Sequence, residues 1–446
     1  MIAFRLSEIA SITGGVLHGQ DVTVTGDVEF DSREILPGGM FVAFEGAKVD
    51  GHDFAGKAKD LGAVAVLGSK PVPQLPTVVV GDPRAAMGLL ARALLGRLPE
   101  LTVIGITGSS GKTSTKDMIG QLLSRLGTTI APAGSFNNEL GLPHTVLRAD
   151  ARTKYLVLEM GSRGPGHLTY LCGIAPPKIG VVVNVGVAHL GEFGSVEAIA
   201  KAKSELIQAL PADGFAVLNG DDPAVAAMAA VSQAPVKLVT TGEVELDSAG
   251  RPSFDLNGTR VRLALTGVHQ AGNALLAAAV AQRCGMPLAD LPQALAELKL
   301  ISARRMDVFD RADGVTVIDD SYNANPASTA AALRALAAAG KDRRTIAVLG
   351  YHAELGAAER EGHAEVGALA AALGVDVLIA VEESAAPILD GAASVRSWEG
   401  ESVLVSDQAA AVAEVARRLR PGDVVLVKGS RYRTWDVADF LRAPAA

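Results

Sequence analysis

Short apolar runs alternate with longer amphipathic stretches through most of this chain. "LTVIGIT", "YLVLEM", "KIGVVVNV" and "GFAVLN" have the length and Val/Ile content of buried strands. Between them, "TKDMIGQLLSRL" sets Met118, Ile119, Leu122, Leu123 and Leu126 on one helical stripe, and "VEAIAKAKSELIQAL" also reads as a helix. Strand–helix alternation of this kind predicts an α/β fold with a doubly wound parallel sheet. A second alternating block follows Arg305, with "GVTVIDD", "RTIAVLG", "VDVLIAV" and "DVVLVKG" as its strands. The first hundred or so residues are turn-rich instead, centred on "DSREILPGGMFVAFEGAKVDGHDF", and a polar, Pro-containing break, "GRLPE", closes them. The expected organisation is three domains, 1–98, 99–304 and 305–446.

Composition narrows the class. Hydrophobic residues make up 49% of 446 positions and aromatics only 4%, so large cores filled by small aliphatic side chains are expected. The formal charge of −8 is spread without long runs of one sign, which argues against nucleic acid or an anionic membrane as the main partner. Cys172 and Cys284 cannot form a disulfide framework, and no Cys/His group has zinc spacing. The start lacks a signal-peptide pattern and no apolar run has the length of a membrane span, so a cytoplasmic protein is expected.

The candidate chemistry begins at "VIGITGSSGKTSTKDMI". A glycine-rich turn between a strand and a helix N-terminus is suited to an anion, because free backbone N–H groups and the helix dipole face it. Gly108, Ser109, Ser110, Gly111, Lys112, Thr113 and Ser114 would cradle phosphates, with Lys112 supplying charge and Thr113 a hydroxyl for Mg²⁺. The strict pattern G-x-x-x-x-G-K-[ST] is broken at Ile106. The bland reading is an ordinary strand-to-helix turn carrying a surface lysine. Glu159 and His189 follow the ends of later strands, where ligands of open α/β sheets sit; a capping glutamate and a surface histidine are the alternative. Lys201 and Lys203 lie two apart on a helix and cannot share a face, and by pattern alone either reads as a solvated lysine. "DDSYNANP" and "VLVKGSR" each follow a strand. The first offers carboxylates for ribose or a cation, or else an Asx-type turn; the second offers an anion clamp, or else a basic surface turn.

Taken in order, these motifs resemble the Mur ligase superfamily. The series "DSREILPGGMFVAFEGAKVDGHDF", "TGSSGKTSTK", "SFNNELGLPHTVL", "LEMGSRGPGHL", "NVGVAHLGEFGS", "AKAKSEL", "GVHQAGNALLAA", "DDSYNANP" and "VLVKGSR" spans nearly the whole chain. The resemblance implies a three-domain architecture with a central P-loop-type parallel sheet and a Rossmann-like C-terminal domain. It implies an ATP-dependent amide ligase that joins D-Ala-D-Ala to UDP-MurNAc-tripeptide through an acyl phosphate in peptidoglycan precursor synthesis. Thr113 then holds one Mg²⁺; Glu159 and His189 hold a second, with Lys203 as a carbamate. Asn138 lies near the phosphates, and His269, Asn273, Arg305, Asp320 and Asn325 contact the nucleotide. Ser32 and Arg33 bind the UDP substrate, while Lys428 and Arg431 lie where the C-terminal domain closes. A monomer is expected.

Several positions depart from the pattern of that family. Arg304 stands where glycine is common, His167 where an acidic residue is, Tyr351 and His352 where an acidic residue and methionine are, and Tyr432, Arg433, Thr434 and Trp435 where small or aliphatic residues are. Most of these lie in the domain that helps to bind the amine, so the alternative is a related ligase of natural-product assembly with an altered amine or carboxylate substrate. The DNPR-type motif of the ligases that add the third peptide residue is missing, and the full catalytic set argues against a silent binding protein.

Overall fold

The computed structural model describes residues 2–46, 48–186, 193–247, 249–430 and 432–443. His189 and Arg431 therefore lie outside the described residues.

Residues before 99 form a five-stranded sheet in the order Val16–His18, Thr77–Val79, Ala65–Gly68, Met40–Val42 and Val28–Glu29. Only the first pairing is antiparallel. The turn-rich pattern hid this sheet because its strands are two to four residues long. The central sheet is wholly parallel, ordered Val236–Val239, Phe215–Asn219, Ile179–Val182, Thr102–Thr107, Tyr155–Glu159 and Thr129–Ile130. Thr102–Thr107 lies inside it, and its buried residues Val103, Ile104 and Ile106 explain its continuous apolar run. An unforeseen antiparallel sheet, Val244–Leu246, Pro252–Leu256 and Thr259–Arg262, follows. The C-terminal sheet runs Asp307–Asp310, Thr316–Asp319, Val424–Lys428, Thr345–Leu349, Val377–Val381 and Glu401–Val405, with only its first strand antiparallel.

The cores are not divided as the domains are. One continuous apolar cluster joins Phe4, Leu6, Met87 and Leu94 of the first domain to Leu142, Leu156, Met160 and Leu171 of the second. His144 Nε2 and Glu29 Oε2, 2.8 Å apart, bridge the same junction. The C-terminal clusters draw only on residues from Met306 onward. A cleft opens between the central and C-terminal domains, lined from both.

Within the last domain, the helices Glu359–Ala372 and Pro387–Ala393 touch through glycine. A methyl at Gly367 would run into the Ile388 carbonyl, and one at Gly391 into the Ala364 carbonyl. Backbone cannot yield there as a flexible side chain would. Gly367→Ala is expected to lower stability by roughly 1–3 kcal/mol, measured by urea unfolding monitored at Trp398, which packs against this core.

Candidate active site

The strand Thr102–Thr107 delivers the chain into the glycine-rich turn, and the helix Lys112–Ser124 leaves it. Ile106 answers for the broken motif. It is fully buried in the core of the sheet, paired with Glu159 of the next strand, so the turn begins only after it. The glycine the turn requires is Gly111, at φ +75°, where a Cβ would also crowd Asn273 and Val183. Asn184, at the end of the neighbouring strand, fixes the turn from below: its Oδ1 accepts from Ser109 N–H at 3.0 Å and Ser110 N–H at 2.9 Å. Lys112 folds back to donate to Gly108 O at 2.7 Å.

Glu159 lies beneath this loop and is almost fully buried. Its carboxylate accepts from Thr113 Oγ1 at 2.7 Å, Ser135 Oγ at 2.7 Å and Asn137 Nδ2 at 2.8 Å. Burial pushes its carboxyl upward, but Lys112 and Arg305, helped by the Ser135 and Thr113 hydroxyls, outweigh that and hold it below its ordinary range. Lys112 shows the converse: burial lowers it despite the nearby Glu159.

The helix Val196–Gln208 turns Lys201 to solvent and Lys203 inward. Lys203 is only 2% exposed. Burial, with the Lys112 charge added, brings its ammonium down to about 7. It is not among the residues that line the cleft.

The opposite wall comes from the C-terminal domain. The cleft, about 530 Å³, brings the phosphate-loop residues Ser109 to Ser114, with Asn138, Glu159, His269 and Asn273, to Arg305, Asp320, Asn325 and Lys428. Arg305 stacks over Tyr322, 4.0 Å from the ring centroid. Lys428 is buried; it pairs with Asp320 and donates to Asn323 O at 3.0 Å. Burial outweighs that pairing and lowers the Lys428 ammonium. Asn325 Oδ1 caps the helix Pro326–Ala339 through Ser328 N–H at 2.8 Å, the Asx-type alternative, although the residue still lines the cleft. Asn138 likewise caps a helix start, accepting from Gly141 N–H at 2.8 Å. A second cavity, about 510 Å³, shares Asn184, His269 and Asn273 and extends past Asn219, Thr241 and Val268. Ser32 and Arg33 lie elsewhere, in the first domain. Ser32 is buried, and Arg33 is bound to Asp31, its Nη2 to Oδ2 distance 2.6 Å. Among the described residues, none of the first domain lines the cleft.

Asn184, Ser135, Asn137 and Tyr322 also join the site; each lies inside a motif quoted above, but none was assigned a role there. Asn184 opens the motif "NVGVAHLGEFGS" directly after the apolar run "VVV", but nothing in that pattern says that its amide would fix the phosphate loop.

Comparison with known proteins agrees with this geometry. The Mur ligase family catalytic domain matches residues 27–93, the Mur ligase middle domain residues 106–281, and the Mur ligase glutamate ligase domain residues 304–431. The chain belongs to the Mur ligase family. Relatives include the UDP-N-acetylmuramoyl-tripeptide–D-alanyl-D-alanine ligases of Mycobacterium leprae (strain TN), 46% identical over 96% of both chains, and of Escherichia coli (strain K12), 36% identical over 97% of this chain and 96% of that one. Among solved structures, MurF from Acinetobacter baumannii superposes with a TM-score of 0.86, 29% identity and 99% coverage of both chains. MurF from Thermotoga maritima in complex with ADP gives 0.79, with 30% identity over 94% of this chain and 97% of that one. This Mur ligase is an ATP-dependent, ADP-forming ligase of peptidoglycan precursor synthesis. Among the described residues no helix is long and apolar enough to cross a membrane.

Proposed function

We propose that this Mur ligase joins D-alanyl-D-alanine to UDP-N-acetylmuramoyl-tripeptide, consuming ATP to ADP and phosphate. The observation that carries the reading is the convergence of two sheets on one cleft. The strand Thr102–Thr107 brings the phosphate loop and the strand Val424–Lys428 brings Lys428, so nucleotide and amine substrates meet between domains. The full-length likeness to ligases named for this reaction supplies the substrates.

A carboxylate is a poor acyl donor. Transfer of the γ-phosphoryl group to the tripeptide's terminal carboxylate makes an acyl phosphate, ADP departs, and the free amine of the dipeptide then displaces phosphate. Lys112 and Arg305 offset charge on the transferring group, and closure of the cleft excludes water that would hydrolyse the intermediate. The hydroxyl of Thr113 suits one Mg²⁺, a hard cation that takes oxygen ligands. Lys203, with Glu159 and His189, would hold a second ion as its carbamate. A neutral buried amine fits attack on CO₂, and the carbamate turns a cation into an oxygen ligand. When bound, the ions neutralise phosphate charge. Nucleotide-linked substrates and ATP make the cytoplasm the expected compartment; a monomer suffices for a site made by one chain.

Tyr432 and Trp435 on the cleft wall favour a second reading, in which the amine differs. Phosphate release assayed with UDP-MurNAc-tripeptide, with and without D-Ala-D-Ala, separates the two. Release that needs both is expected. Release only with another dipeptide or amino acid would replace the first reading by the second.

A further inference from the structure

The segment joining the central and C-terminal domains is fastened on both sides of a single exposed residue, Ala303. Before it, Ser302 is buried against the central domain: its N–H donates to Asp117 Oδ2 at 3.1 Å and its Oγ accepts from Gly134 N–H at 2.9 Å. After it, Arg304 belongs to the C-terminal domain. Its carbonyl accepts from Tyr322 N–H at 3.2 Å, and its guanidinium lies 2.6 Å from Asp439 Oδ1 and 3.7 Å from the fully buried Asp319. The same guanidinium stacks 4.5 Å from the Trp435 ring, which sits edge-on to Tyr432 at 4.8 Å and donates to Ser321 O at 2.9 Å.

Arg304 holds φ at +60°. A long side chain there is strained relative to ordinary backbone, and glycine would adopt it freely. The strain persists because the guanidinium is tied to the C-terminal domain at three side chains. The next residue, Arg305, faces the phosphate loop, and Trp435 lines the same cleft.

We propose that Arg304 is a positioning residue. By stacking on Trp435 and pairing with Asp439 and Asp319, it fixes the hinge so that Arg305 and the Trp435 wall meet the nucleotide in register. A purely structural role would need only the charge, to balance buried Asp319. Lysine supplies that charge but not the planar stack, so Arg304→Lys separates the two roles; Arg304→Gly relaxes the backbone and removes both.

The protein has two tryptophans, so Trp398→Phe leaves Trp435 as the sole reporter. Trp398 lies against the C-terminal core, away from the cleft. In that background, Mg·ATP titration is expected to change Trp435 emission. Arg304→Lys should melt within a few degrees of its parent, yet lose most of that emission change and raise the KM for ATP by about tenfold. Arg304→Gly should do the same to KM and emission, with a lower Tm. Wild-type KM and an unchanged emission response in Arg304→Lys would overturn the proposal and leave charge balance as the whole role. The emission change uses nucleotide alone, so it does not depend on which amine the enzyme accepts; the KM is read in the phosphate-release assay with both other substrates present.

Discussion

Replacing Lys203 by Met should abolish ligation while making the protein more stable. The activity would fall by about a thousandfold or more, on the order expected when a ligand of a catalytic ion is removed. The stability gain follows from burial. An unfolded lysine titrates near 10.4, whereas Lys203 titrates at about 7 in the fold. The unfolded chain therefore binds more protons between about pH 7 and 10, so wild-type stability rises with pH across that window, and at pH 7 the fold bears nearly the whole penalty. A tenfold change in a protonation equilibrium corresponds to about 1.4 kcal/mol, so the penalty is of order several kcal/mol. Met fills similar volume without it. In CO₂-free buffer the Met variant should melt several degrees higher at pH 7, and the gap should close as pH approaches 10. Bicarbonate should raise the wild-type Tm, because the carbamate places an anion beside Lys112, and leave the variant unmoved. Turnover near that of wild type in Lys203→Met, or a wild-type Tm indifferent to bicarbonate, would remove the carbamate from the mechanism.

Glu159→Gln is the second large effect. The amide keeps the shape of the carboxylate but removes its charge and sets an NH₂ group in a pocket arranged for an acceptor. Ser135 and Asn137 both donate to the same oxygen, Oε1, and Thr113 donates to the other. Turned toward Oε1, the NH₂ would face the Asn137 NH₂ donor; turned toward Thr113, it forces that hydroxyl round to accept and strips it of its acceptor. Lys112 and Arg305 also lose the anion that balances them. Turnover is expected to fall by about a thousandfold at saturating ATP, with a raised requirement for Mg²⁺, measured by ADP release across a Mg²⁺ titration. Because the carboxyl lies below its ordinary range, Glu159 stays ionised down to acid pH. Any loss of activity between pH 6 and 8 in the wild type belongs to other groups. A variant with unchanged Mg²⁺ dependence would show that Glu159 serves only to hold the loop.

What the sequence disclosed was local. The strand Thr102–Thr107, the helix stripe from Met118 to Leu123 and the Gly-Lys-Thr turn are all written in contiguous residues whose period and chemistry agree. Other features needed the fold. Periodicity shows that Lys201 and Lys203 part company, but not which of them goes inside; that is decided by the sheet the helix covers. Asn184 reaches the phosphate loop across 74 residues of sequence, and Ser302 reaches Asp117 across 185. The antiparallel strands between Val244 and Arg262 were hidden by their shortness and polarity. The departure at Arg304 was visible as a residue type, but its partner Trp435 was visible only as a separate oddity far along the chain. Their contact makes one feature of two.

The apolar cluster that runs unbroken from Phe4 to Leu171 has a practical corollary for protein engineering. A splice near residue 98 would cut through packed methyl groups and demand that two foreign surfaces be recarved to fit. A splice at Ala303 severs almost no apolar contact and leaves each side with its own complete interior. Chimeras that exchange the last third of the chain between relatives are thus the natural route to recombining nucleotide use with a new amine. The molecule is three domains by shape but two interchangeable parts by construction.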